Sequence, residues 1–184
     1  MYTDGVITNW TTSGGGTSYD RASSVAAAGD GGVVVSLRFG DTATFGGAVH
    51  SGAGESRDAA LWKLNAHGSS LWFARVRGPS GEAIHDVTRD LATGSGGGPA
   101  ALVGAGFFSG DTTFGWDGGG GGGGGVVLRS EAQSDAAVWK VSATGTTIWA
   151  VRGGGGNSTD VNYLRGIAAS NATTMNGGSG GGAV

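Results

Sequence analysis

The stretch DAALWKLNAHGSSLWFARVRG at 58–78 returns as DAAVWKVSATGTTIWAVRGGG at 135–155. Asp58 and Asp135, Trp62 and Trp139, Lys63 and Lys140, Gly68 and Gly145, and Trp72 and Trp149 all stand at one offset, 135 − 58 = 77. The two lysines are the only two in the chain, and they occupy equivalent places. Self-similarity at a fixed offset marks a repeat architecture, so repetition governs how the rest of the chain is read.

Upstream of each copy lies a second pair, FGDTATFGG (39–47) and SGDTTFGWD (109–117). Phe45 and Phe114 are 114 − 45 = 69 apart, eight short of 77. The missing eight fall between Phe114 and Asp135, an interval that holds the uninterrupted run Gly118 to Gly125. That run is therefore read as an insertion into one loop, between the second and third strands of the second copy. Trp10, Trp72 and Trp149 each precede a segment of small and apolar residues, with Val25, Val87 and Ile167 as landmarks. The order predicts a remnant of a preceding repeat at 1–10 and a first full repeat at 11–75. A second, carrying the glycine insertion, follows at 76–152, and the start of a third with a Gly-rich tail occupies 153–184.

Within each unit the period is that of strands. In GVVVSLRF (32–39), Val33, Val35, Leu37 and Phe39 fall on one face and Val34, Ser36 and Arg38 on the other. Ala60, Trp62 and Leu64 share a face, as do Ala137, Trp139 and Val141. HGSS and TGTT lie between two such runs, where a Gly-containing turn closes a hairpin. No segment carries sustained helical periodicity with caps. The reading is an all-β chain of tandem antiparallel units, four short strands to each.

Composition excludes several classes. The 184 residues are enough for one domain with a real core. Forty-two glycines suggest low complexity, but only two prolines occur, and six Trp and six Phe lie in clusters that a disordered chain lacks. The net charge of −3 is mixed along the chain without a basic stripe, which disfavours a nucleic-acid partner. No apolar stretch approaches the ~20 residues that cross a bilayer, and MYTDGVITNW is not a signal peptide. With no cysteine, disulfides and thiolate metal sites are excluded.

The second copy, continued through VNYLRGIAASN, resembles the β-propeller repeat known as the SBBP repeat, a bacterial-type propeller repeat. Asp135, Ala136, Val138 and Lys140 match its Asp-Ala-Phe-Val-Ala-Lys-Leu segment, and Gly145 its turn. Ile148, Trp149 and Ala150 match its Leu-Trp-Ala segment, and Gly153, Gly154, Gly166, Ile167 and Ala168 the remainder. Asp58, Ala59, Leu61, Lys63, Leu64, Gly68, Leu71 and Trp72 match in the first copy. Where that repeat has Phe and then a small residue, this chain has Ala60 and Trp62, and Ala137 and Trp139, an exchange on one strand face that keeps volume. The resemblance implies a divergent, glycine-enriched propeller-like array and a non-enzymatic role at the cell surface or outside the cell. Closure takes about four to eight blades, so two full units imply an incomplete propeller or open array, with terminal strand edges free to pair with another chain.

Candidate sites are few. His50, His67 and His85 lack ligand spacing. Asp58, Asp135, Asp41 and Asp111 recur by repeat, and the reading is carboxylates bonding nearby backbone N–H groups rather than calcium ligands. Lys63 and Lys140 read as solvated strand positions whose stems cover apolar neighbours. Trp62, Trp72, Trp139 and Trp149 read as core between units, and Trp116, outside the repeat, as an exposed aromatic suited to ligand contact. Asn9, Asn157 and Asn171 stand in N-glycosylation sequons. GGSGG (177–181) and the glycine run match catalytic and phosphate motifs in spelling alone.

No catalytic, cofactor or metal residue is expected. The leading reading is a non-catalytic scaffold or binding surface, meeting a protein or glycan surface or associating with itself. The alternatives are a carbohydrate-active propeller hydrolase or lyase, and a Gly-rich structural or wall polypeptide.

Overall fold

A computed structural model describes residues 10–52, 57–90, 101–116, 125–156 and 159–168, with the backbone alone at Trp116. Every regular element among them is a strand, and the strands form three antiparallel sheets. The first unit is a meander of β2 (Arg21–Ala27), β3 (Val33–Gly40), β6 (Arg57–Leu64) and β7 (Ser70–Arg77). The second repeats it with β8 (Ser80–Arg89), β9 (Leu102–Ser109), β12 (Asp135–Val141) and β13 (Thr147–Gly153).

Each unit also contains a hairpin that the periodicity did not predict. The residues that follow each Gly turn, at Asp41 and at Gly110, are strands: β4 (Thr42–Phe45) pairs with β5 (Ala48–Ser51), and β10 (Asp111–Trp116) with β11 (Val126–Arg129). The expected four strands per unit are thus six. Each hairpin reaches back to the unit before it. β10 pairs with β7, and β4 pairs with β1 (Gly14–Gly16), which follows Trp10 as β7 contains Trp72. Short segments rich in Thr and Gly carry too few alternating residues to announce a strand, and the second partners of β4 and β10, β1 and β7, are more than 25 residues away.

Phe45 faces Ala48 across the two-residue turn Gly46-Gly47, both with positive φ (59° and 83°), as a tight hairpin requires. Phe114 faces Val126 across residues 115–125. The glycine insertion therefore connects β10 to β11; residues 117–124 and the Gly-rich tail from 169 onward lie outside the described residues.

Alternation on β3 and β6 gives two apolar faces, and each face finds a different core. Val34, Ala59, Leu61, Ala74 and Val76 of the first unit pack against Leu102, Phe108, Ala137, Trp139 and Val141 of the second, with Ile84 and Val87 of β8 between. On the opposite face of the first unit, Leu37, Phe39, Ala60, Trp62 and Leu64 pack with Phe45 and Phe73 under Trp10. Residues 161–168 begin to lay a further segment over the second unit, where the Tyr163 ring meets Phe107 edge-on at 4.9 Å.

Candidate functional site

The joint between units is where most repeat-signature residues converge. The β6–β7 and β12–β13 turns have one construction. Asn65 Oδ1 accepts from the N–H of His67 and of Ser69, and Ser142 Oγ from Thr144 and Thr146. Gly68 (φ 78°) and Gly145 (φ 85°) close the turns in the left-handed region. The tryptophan of the preceding unit lies flat on that glycine. A Cβ on Gly68 would sit 2.5 Å from the Trp10 ring, and one on Gly145 2.8 Å from the Trp72 ring. Trp72 Nε1 also donates to the Ala143 carbonyl in the same turn, at 2.9 Å. Trp62 and Trp139 are the buried pair, each donating Nε1 to the hydroxyl eight residues on, Ser70 at 2.9 Å and Thr147 at 3.0 Å.

The two lysines are not solvated. Lys63 is 2 % exposed and pairs with Asp30 at 2.8 Å, and Lys140 pairs with Asp90 at 2.5 Å. Each sits on the third strand of its meander, between two neighbouring strands, so its stem is enclosed and its ammonium needs a carboxylate. The Lys63 ammonium, with the N–H of Gly32, holds the Asp30 carboxyl below the usual range despite burial.

Asp58 and Asp135 are fully buried, facing Arg75 at 3.4 Å and Arg152 at 3.5 Å. Asp135 Oδ2 also accepts the backbone N–H of Glu131 at 2.9 Å. A residue from the next unit reaches each carboxylate. Asn162 Nδ2 lies 3.3 Å from Asp135 Oδ1, and at the equivalent place beside Asp58 stands Glu82, 1 % exposed. Burial, then the Asp58 charge, pushes the Glu82 carboxyl up to about 8. Thr112 Oγ1 lies 3.5 Å from it and gives its hydrogen to the Ser109 carbonyl at 2.9 Å. A protonated Glu82 thus occupies the place of the neutral amide of Asn162.

The joint's two halves recur on the outer faces of the pair. The face of the first unit turned away from the joint, equivalent to the Trp139 face that the joint covers, opens into a groove of about 490 Å³. Trp10, Val25, Val33, Val35 and Trp62 line it. The outer face of the second unit is bared likewise: Ala74 is 3 % exposed but its equivalent Val151 is 50 %, and Trp149, the counterpart of the seated Trp72, is 37 %.

Of the other residues singled out, Asp41 adopts φ 47° in its turn and Asp111 forms an exposed pair with Arg129 at 3.6 Å. His50 stacks on Phe73 at 3.9 Å, His67 is in the exposed turn, and His85 lies against Phe107 at 5.5 Å. Burial holds both His50 and His85 below the usual histidine range, with Arg75 contributing at His50. Among the described residues no three His, Asp or Glu converge on a metal position, and no helix is long and apolar enough to cross a membrane. The side chain of Trp116 and the sequon residues Asn9, Asn157 and Asn171 lie outside the described residues. Sequence reasoning missed Glu82 and the arginines near His85, because neither recurs between units. No protein-family model matches the chain, and no curated protein matches it.

Proposed function

We propose that this chain is a non-catalytic, β-propeller-like repeat module that acts as a scaffold by docking like units on its two end faces. The observation that carries the reading is that those faces are the two halves of the joint formed inside the chain. One is the groove beside Trp62 and Val35, and the other is the surface around Trp149 and Val151. Apolar surface of this kind, matched to a complementary surface elsewhere on the same molecule, favours a head-to-tail contact. In this reading each four-stranded meander is a blade, and the resemblance to the SBBP repeat supports a place in a larger cell-surface or extracellular protein.

Sedimentation velocity over a concentration series tests it. Wild-type protein is expected to associate progressively, and Trp149→Ser and Val35→Asp are each expected to suppress the higher species. Mixed together, the two variants retain one intact face apiece and form a capped heterodimer. A monomer at every concentration, or association that neither substitution changes, overturns the reading.

A further inference from the structure

A second cleft, of about 210 Å³, opens between the first strands of successive units and is lined by Arg21, Ser23, Arg38, Ala83, His85 and Arg165. None of these lining residues is acidic, in a chain whose net charge is −3. Among the described residues no carboxylate lies within ion-pair distance of Arg21, Arg38 or Arg165.

The repeat shows that the cations are not there for the fold. Ser23 and His85 are equivalent, 85 − 23 = 62, as Val25 and Val87 are, and each falls at a register shift in its strand, between Ala22 and Ser24 and between Ile84 and Asp86. A bulge re-aims the side chain it carries. Arg165 is the third member, two residues before Ile167 as His85 is before Val87. Arg21 lies directly across from Arg38 on β2 and β3, where like charges oppose pairing. The second unit fills the equivalent pair with Ala83 and Phe107 and forms the same meander.

Two neighbours register the positive field. Tyr19 is held below the usual phenol range by hydrogen bonds from Arg38 and Arg21. His85 is held down by burial and then by Arg165, Arg38 and Arg21. The arginines are also propped in place, Arg38 5.5 Å from the centre of the Tyr19 ring and Arg165 5.8 Å from that of Tyr163.

We propose that this cleft binds a tetrahedral oxyanion, a phosphate or sulfate group, held by Arg21, Arg38 and Arg165 with Ser23 and His85 completing the cradle. Planar guanidinium forks match the oxygens of such a group two at a time, and opposed cations become favourable once a dianion lies between them. Asp86, next to His85, does not compete. Burial raises its carboxyl, but hydrogen bonds from Ser24 and the N–H groups of Ile167 and Val87 outweigh that and keep it an anion facing those donors.

The test is a titration of full-length protein with sodium phosphate and, separately, sodium sulfate, against sodium chloride at matched ionic strength. The three histidine ring signals are followed by NMR. The His85 titration midpoint is expected to rise saturably with phosphate or sulfate, and the anion that moves it more is the preferred one. His50 and His67 serve as internal controls. Arg165→Gln and Arg38→Gln are expected to weaken binding roughly tenfold or more, the worth of a charge-assisted hydrogen bond. Equal movement of all three histidines, the same response to chloride, or a response unchanged in both arginine variants overturns the proposal.

Discussion

Replacing Glu82 by glutamine should stabilise the protein at neutral pH, although it alters a fully buried residue of the joint. The folded chain holds the Glu82 proton up to about 8, against 4.5 for the group in its ordinary state. Below pH 4.5 folded and unfolded chains both carry that proton, so Glu82 adds no pH-dependent cost. As pH rises from 4.5 to 8 the unfolded chain releases the proton while the folded chain keeps it, and stability falls. The gap of 8 − 4.5 = 3.5 corresponds to a full loss of ~5 kcal/mol, of which ~3 kcal/mol has accrued by pH 7, at about 1.4 kcal/mol per unit. Glutamine keeps the shape and offers the neutral donor that Asn162 supplies at the other joint, without a proton to lose. Urea unfolding of both proteins from pH 4 to pH 8 measures the difference. His50 and His85 shift stability the opposite way in acid, since their depressed protonation favours the unfolded chain there, but that contribution is common to both proteins. The stability difference is expected to grow from near zero at pH 4 to ~3 kcal/mol in favour of the variant at pH 7. A variant less stable than wild type at pH 7, or a difference that does not change with pH, would refute the protonated carboxyl.

Gly145→Ala combines a left-handed backbone with a methyl group driven against the Trp72 ring, and about 1–3 kcal/mol of stability should be lost by chemical denaturation. Gly68→Ala, against Trp10, should behave alike. Deleting Gly118 to Gly125 shortens the span between the paired Phe114 and Val126 from eleven residues (115–125) to three, and the logarithmic closure cost predicts a change within ~1 kcal/mol. A large fall in the thermal midpoint would mean that the run contributes to the core.

Sequence alone determined the strand class, the repeat and the glycine turns, because each of these is written in neighbouring residues. Alternation along 33–39 and 58–64 assigns the strands and their apolar faces, and one offset of 77 aligns Trp62 with Trp139 and Gly68 with Gly145. It did not reveal the hairpins at 42–51 and 111–129, whose short strands are held by pairing with distant ones, Gly14–Gly16 for the first and β7 for the second. Nor did it show Lys63 and Lys140 as enclosed ion pairs, since the partners Asp30 and Asp90 come from loops with no shared spacing. Tertiary structure alone decided the chemistry of the joint and the cleft. Glu82 holds its proton because folding buries it beside Asp58, and Arg21, Arg38 and Arg165 line one cleft because the first two strands of the first unit meet β8 of the second and the segment that follows β13. A repeat fixes where each residue stands within its unit, whereas burial and charge depend on which unit is stacked against it.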